Sequence, residues 1–406
     1  MQGKDFVIVG LQPWDIKIGS NCKNIAAQLA QQNRVLYVNR PLDRWTLLRY
    51  RSHERIKNYR ATLEGQTDNL RQVHPNLWVL NPSVVLESIN WIRWPAWYLY
   101  LNQRNARRIT AQISLAIERL GFGKVIVFND NDFLNYFYLQ ELLSPALHIY
   151  YIRDSLTSQP YFSTHGDLEN KLMRKADIVL ANSHYLRDYG ASYNAQSFFV
   201  GQGCDFSLLE VEDLSEPEDM RSIAHPRVGY AGALLANRLD IALISYCAEA
   251  LPHHHFVLVG PEDTTFANSR LHRLPNVHFL GAKPVEEVPR YIHQFDVCIN
   301  PQQVNAVTIG NYPRKIDEYL GMGKPVVATA TMAMNYFAEH VYLAQDKVTF
   351  AALLTQAYLE DHAEARRQRQ DFARTHTWEH SVTKIYQAIN ASVSNGNLSD
   401  ETPEIH

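Results

Sequence analysis

Two stretches of the chain combine residue types suited to holding a phosphorylated ligand. The first is GYAGA at 229–233, followed by Asn237, Arg238 and Asp240. A glycine-rich turn between a strand and a helix lets backbone approach a phosphate, and a helix N-terminus adds N–H donors and a positive dipole end. Gly232 and Ala233 lie in that turn, Gly260 ends a second apolar run (HFVLVGP), and Arg238 offers a two-pronged phosphate contact. A tight turn beside a solvated arginine would leave the same residues, because G-x-x-G is common. The second stretch begins with a polar loop, 305–311, that contains Gly310 and Asn311. It leads into a short predicted helix over 314–320, which ends at a glycine cap and feeds the run PVVA. Arg314 and Lys315 open this helix, and Glu318 falls on the Lys315 face one turn later. A cation at a helix start with a carboxylate beyond it can hold a diphosphate and the ribose hydroxyls of one nucleotide. The plain alternative is a surface ion pair of little energetic weight.

Turns of this kind need strands to place them. Short apolar runs recur at 6–9, 35–38, 77–80, 125–128, 148–152 and 178–181, and again at 227–230, 256–259, 277–280, 297–300 and 325–328. They are continuous rather than alternating, as strands buried on both faces are, and helix-length segments separate them. The pattern is α/β and doubly wound, and its appearance in both halves implies two such domains. Open sheets of this class bind ligands outside the carboxyl ends of their strands, and two facing domains make the cleft between them the default site. The expected division is 1–202, 203–374, a C-terminal helix at 375–392 that returns to the first domain, and a disordered tail at 393–406. The acidic, proline-containing stretch EVEDLSEPEDMRS near the seam reads as linker or surface.

Composition narrows the classes. The chain has 406 residues, 46% hydrophobic and 20% charged, with 39 Lys+Arg against 42 Asp+Glu and a net charge of −3. That balance is globular and argues against a dedicated nucleic-acid binder. Four scattered cysteines without C-x-x-C spacing predict neither a zinc site nor a disulfide framework and fit a reducing compartment. The histidine triplet at 253–255 reads as surface, and no metal constellation is evident. Neither the turn at 229–233 nor the N-terminal GLQPWDIKIGS carries G-x-G-x-x-G, which disfavours a nicotinamide enzyme. No apolar run reaches the length of a membrane span, so a cytoplasmic chain, at most peripheral to a membrane, is expected.

The run P-x-K-x-x-E-Y-L-x-x-G-K-P-V-V resembles the donor segment of GT-B-fold glycosyltransferases, which use nucleotide-diphosphate sugars. Further likenesses follow the family's order: ADIVLANSHYLRD at 176–188, GQGCDFSLL at 201–209, VGYAGAL, HFVLVGP, LPNVHFLGAKPVEEVPRYIHQFDVCINP, and THTWEHSVTKIYQAI at 375–389. The resemblance covers about 176–390 and is looser over the first 150 residues; within the family the chain resembles bacterial polysaccharide or teichuronic-acid-type transferases. It implies two Rossmann-like domains facing across a cleft, the first for acceptor and the second for donor. It puts Gly232 and Arg238 at the sugar-nucleotide phosphates, Lys315 on the diphosphate and Glu318 on the ribose. Many retaining members carry E-x7-E, but here Gly310 stands in place of the earlier glutamate. The implied function is transfer of a sugar to a hydroxyl of a glycan or lipid-linked acceptor in polysaccharide or cell-envelope synthesis, without a cofactor or metal. A sugar-nucleotide 2-epimerase and a non-catalytic sugar-nucleotide binder are the alternatives.

Transfer with inversion needs a base for the acceptor hydroxyl. Asp154, after HIYYIR, is the first candidate, placed where some membrane-associated members of the fold carry theirs; a helix cap is its structural alternative. Asp15 is the second. Asp132 and its neighbours at 129–132 come third, with capping the stronger reading. Residues 44–60 and 91–108 mix arginines with tryptophan, tyrosine and leucine, as segments lying in a membrane interface do, and a contact at the inner face of the plasma membrane would suit a lipid-linked acceptor. Tryptophans packed between helices or domains would give the same composition.

Overall fold

The computed structural model describes residues 1–15, 20–158, 162, 164–206 and 213–393. They fall into two compact units, Met1–Gly201 together with the chain from Ser381 onward, and Gln202–His380. The chain passes from the second unit to the first within the helix Trp378–Ser392.

Unit 1 is built on eight strands: β1 (Asp5–Gly10), β2 (Arg34–Val38), β3 (Leu70–His74), β4 (Leu77–Leu80), β5 (Ile126–Asp130), β6 (Leu147–Ile152), β7 (Ile178–Ala181) and β8 (Ser197–Phe199). Their order is β3-β4-β2-β1-β5-β6-β7-β8, and every pairing is parallel except β3 with β4. The order reverses at β1, which has β2 on one side and β5 on the other, with Gly10 opposite Asp130 at the carboxyl end. Unit 2 carries β9 (Arg227–Ala231), β10 (His255–Val259), β11 (Val277–Gly281), β12 (Val297–Asn300), β13 (Val326–Thr329) and β14 (Tyr342–Ala344). This sheet is parallel throughout in the order β11-β10-β9-β12-β13-β14, so its switch point lies between β9 and β12.

The apolar runs mean what their lack of alternation suggested. In β10, Phe256 and Leu258 belong to the core on one face of the sheet, whereas Val257 and Val259 belong to the core on the other. At about 1.5–3 kcal/mol for each buried Val, Leu or Phe, a polar residue on either face would be costly, so both faces read as apolar.

All eleven expected runs fall on strands. The three strands without an expected run, β3, β8 and β14, are all edge strands. β8 and β14 have three residues each, and β3, antiparallel to β4, buries only Leu70. The acidic seam, read as linker or surface, is surface and not a free linker: Asp213, Ser215, Glu218, Asp219, Arg221 and Ser222 are exposed. Residues 207–212 lie outside the described ones, but 213–226 are packed into unit 2. Met220 and Ile223 are buried in its core, and Tyr291 donates to Asp219 at 3.0 Å. Arg227 explains this: its guanidinium, itself buried, donates to the carbonyls of Met220 and Ile223 and pairs with Glu216 at 2.6 Å. The tail expected to be disordered lies outside the described residues from 394 onward.

Candidate functional site

In unit 2 the candidate donor residues gather at the carboxyl ends of β9, β10 and β12. Gly232 has φ +142° and Gly260 φ +150°, both in the region that favours glycine. A Cβ on Gly260 would fall 2.0 Å from the Gly232 carbonyl oxygen, so the turns after β9 and β10 touch backbone to backbone. A Cβ on Gly232 would fall 2.3 Å from Cε and Nζ of Lys315, so the lysine amine fills the space this glycine leaves. Lys315 is the second residue of the helix Arg314–Gly321, and its Nζ also lies 5.2 Å from the centre of the Tyr230 ring. Gly229 has another purpose: a side chain there would collide with the Phe295 ring.

The loop between β12 and this helix is tied down by its own side chains. The Asn305 carboxamide oxygen accepts from the Val307 and Thr308 amides, its Nδ2 reaches the Asn237 carbonyl at 2.9 Å, and the Asn311 amide bonds Thr308. The Gln303 amide donates to the Arg238 carbonyl at 2.8 Å, joining the loops after β9 and β12. Gly310 is buried in the same loop. The helix ends in a Schellman arrangement, with Lys324 N–H on the Tyr319 carbonyl and Gly323 at φ +73°.

Charge at this site departs from the sequence reading in one respect. Glu318 pairs with Arg314 at 3.1 Å rather than with Lys315, whose amine lies against Gly232 instead. Among the described residues Lys315 and Arg238 have no ion-pair partner; the Lys315 amine lies against Gly232, next to the exposed Ala233, and half-buried Arg238 follows in the same loop. Three buried polar atoms at the neighbouring strand ends also lack a hydrogen-bond partner: Asn300 Nδ2, Gln302 Oε1 and Thr329 Oγ1. Sequence reading missed all three; for Asn300 and Thr329 the clue was a polar residue closing an apolar run, and Gln302 gave none.

Behind the helix, Asp317 is fully buried between His376 Nδ1, at 2.6 Å, and the Tyr312 hydroxyl, at 2.8 Å. Burial raises its pKa, opposed by His376 and Tyr312. The Tyr319 hydroxyl accepts from the Ala231 amide at 3.0 Å, fastening the helix to β9.

In unit 1, Arg153 joins two carboxylates at the ends of β5 and β6: Nε meets Asp130 at 2.9 Å and Nη1 meets Asp154 Oδ2 at 2.8 Å. Asp130 is fully buried and burial raises its pKa, with Arg153 opposing the rise. Burial works against the Arg153 charge, but Asp130 and Asp154 outweigh it and hold the guanidinium ionised. The Asp154 side chain is 26% exposed, and its hydrogen bond goes to Arg153, not to a helix end. Asp132 is a cap: its carboxylate accepts from the Leu134 and Asn135 amides and from the Asn135 side chain. Asp15 is tied to Arg71 instead and lines a cavity of about 660 Å3 with Asn39, Arg40 and His53. No hydrogen bond or ion pair joins Asp15 to Asp154 among the described residues. Residues 16–19, next to Asp15, lie outside them.

Of the two aromatic-basic segments, four of the chain's seven tryptophans stand exposed: Trp45, Trp91, Trp94 and Trp97, at 59–76%. Packing between helices is therefore not their role. Among the described residues no helix is long and apolar enough to cross a membrane, and no group of histidine, cysteine or carboxylate side chains could hold a metal.

The two sheets, each with its switch point, define a two-domain GT-B fold. Sucrose-phosphate synthase from Thermosynechococcus elongatus superimposes with a TM-score of 0.63 at 14% identity, over 97% of this chain and 100% of that one. Anabaena HepE, solved in complex with UDP, gives 0.64 at 17% identity over the same shares. Residues 225–360, which carry the glycine turns and the Lys315 helix, match the family described as Glycosyl transferases group 1. A Bacillus subtilis (strain 168) protein, described as putative teichuronic acid biosynthesis glycosyltransferase TuaH, is 28% identical over 226 residues, 52% of this chain. The match spans about half of that relative's length, 56%.

Proposed function

We propose that this chain is a glycosyltransferase that moves a sugar from a nucleotide-diphosphate sugar to a hydroxyl of a glycan or lipid-linked acceptor, in polysaccharide or cell-envelope synthesis. One observation carries the reading: the Lys315 amine, without an ion-pair partner among the described residues, rests on Gly232 at the β9/β12 switch point. An anion there meets a cation, a glycine turn and a helix N-terminus together. The UDP bound by HepE and the teichuronic-acid name of the Bacillus relative support a nucleotide sugar and a polysaccharide product.

In the reaction the bond from the sugar's anomeric carbon to the diphosphate breaks, the nucleoside diphosphate leaves with the electron pair, and the acceptor oxygen takes its place. Lys315 and Arg238 stabilise the charge on the leaving diphosphate, so no metal is required of the donor site. Turnover should therefore persist in excess EDTA. Asp154 takes the acceptor proton through Oδ1, since Oδ2 is held by Arg153. The exposed tryptophans and arginines of 44–60 and 91–108 bring unit 1 to the inner face of the plasma membrane.

Titration of purified protein with UDP-, GDP- and dTDP-sugars tests the donor reading. One nucleotide class should bind, and Lys315→Ala should weaken it. Equal binding by the wild type and the variant would remove Lys315 from the site.

A further inference from the structure

Unit 1 holds a cavity of about 670 Å3 at the carboxyl end of its sheet, the edge where an α/β sheet receives ligands. Its walls come from the turn after β2, the helix Arg44–Arg49, residues 86–91 and the helix Pro95–Leu120. Tyr98, Asn102 and Asn105 fall on one face of the long helix and line it together. The volume suits a ligand of drug size or one end of a longer molecule.

What the lining offers decides what fits. Trp45, Leu86, Ile89, Trp91 and Leu134 present carbon. Most polar groups of the lining are already satisfied within the protein. Asn105 exchanges two hydrogen bonds with the Glu87 backbone, Glu87 pairs with Arg44 and Arg108, and Asp43 accepts from Thr46 and Ser88. The Asn135 amide is held by Asp132 and the Trp91 indole N–H by the Ser88 carbonyl. Asn102 differs: it is 2% exposed, and its Nδ2 is buried without a hydrogen-bond partner. A free glycan needs many partners and would find few here. A hydrocarbon chain with one oxygen-bearing end matches the apolar walls and the buried Asn102 donor.

The surroundings say where such a chain comes from. Trp45 and Trp91 line the cavity and are themselves 59% and 76% exposed, with Trp94, Trp97, Leu48 and Tyr50 exposed on the same segments. Residues 44–60 and 91–108 contain ten arginines and lysines and one carboxylate, Glu54, in a chain whose net charge is −3. Such a face complements an anionic bilayer.

We propose that this cavity is a lipid-chain site: it takes the hydrocarbon of a lipid-linked acceptor drawn from the bilayer, with Asn102 Nδ2 donating to the first oxygen beyond the chain. Calling the occupant the acceptor rests on the transferase reading above; the hydrocarbon chemistry does not.

Calorimetry with dodecyl phosphate below its micelle concentration tests it, with maltose standing for a free glycan and inorganic phosphate for a bare head group. The alkyl phosphate should bind one-to-one. Binding should weaken roughly tenfold or more in Trp45→Ala/Trp91→Ala and in Asn102→Leu, and neither maltose nor phosphate should displace it. Because Asn102 is buried, the exposed tryptophan pair provides the variant certain to leave the core intact. Unchanged alkyl-phosphate affinity in the tryptophan variant, or displacement by maltose, would overturn the proposal. Nucleotide titration of the same preparations separates the two failures. Protein that binds a nucleotide but no alkyl phosphate refutes the lipid-chain site alone; protein that binds alkyl phosphate but no nucleotide refutes the transferase reading alone.

Discussion

Lys315 Nζ stands 2.3 Å from where a side chain on Gly232 would begin. The pair links the first turn of one helix to the end of β9, and each residue explains the other. A Gly232→Ala change must both strain a backbone at φ +142° and push the amine away. The expected result is a lower melting temperature together with weaker nucleotide binding. Lys315→Ala should leave the melting temperature nearly unchanged and weaken binding about 10–100-fold, the weight of one or two charge-assisted hydrogen bonds. Calorimetry and thermal melts on both variants check this, and a Lys315→Ala protein that binds as wild type contradicts it.

The charged groups that follow β1, β5 and β6 should separate by function. Asp154→Asn should lower turnover by about 10²–10⁴ while the donor KM and the stability hold. Asp15→Asn should keep most of the activity. Arg153→Met leaves the buried Asp130 without its partner and should cost about 3–5 kcal/mol of stability. Denaturant unfolding and initial rates give the comparison. Undiminished transfer in Asp154→Asn would make that residue structural only.

Strand interiors were legible in the sequence because burial on both faces forces continuous apolar runs, as in β10 and β12. The edge strands β3, β8 and β14 were not, because an edge needs neither length nor apolar continuity. At the candidate donor site, Gly232, Gly260 and Lys315 could be picked out from type and spacing. Their contact could not, since it depends on how a helix some eighty residues away packs. Glu318 shows the same limit: its spacing allowed two partners, and only packing chose Arg314. Asn102 was invisible, because a lone asparagine in a helix says nothing until its neighbours' hydrogen bonds are known.

His148 gives a prediction about acid. It lies fully buried in β6 with neither ring nitrogen hydrogen-bonded, and burial lowers its pKa to about 3. Below pH ~6.5 the unfolded chain takes up a proton that the folded chain refuses, so stability falls with acid from about 6.5 toward 3. The slope contributed is roughly 1.4 kcal/mol per pH unit at most. His148→Phe should flatten that part of the stability profile, measured by urea unfolding between pH 7 and 4. An unchanged slope would mean that His148 titrates normally.

The exposed tryptophans predict salt-sensitive membrane contact. Vesicles containing an anionic phospholipid should sediment the protein at low ionic strength and release it as salt rises, while neutral vesicles should hold it poorly. Trp94→Ser/Trp97→Ser should reduce the bound fraction without changing nucleotide affinity. Equal binding to neutral and anionic vesicles would show that the arginines play no part.

The central claim is that unit 2 holds a nucleotide-diphosphate sugar through Lys315. The most direct measurement is the thermal shift of the full chain with UDP-, GDP- and dTDP-sugars, repeated on Lys315→Ala. One nucleotide class at about 100 times its Kd should stabilise the wild type by ~2.7 kcal/mol, and the shift should largely vanish in the variant. No shift with any of the three classes, with and without lipid vesicles, or an equal shift in both proteins, would contradict the account.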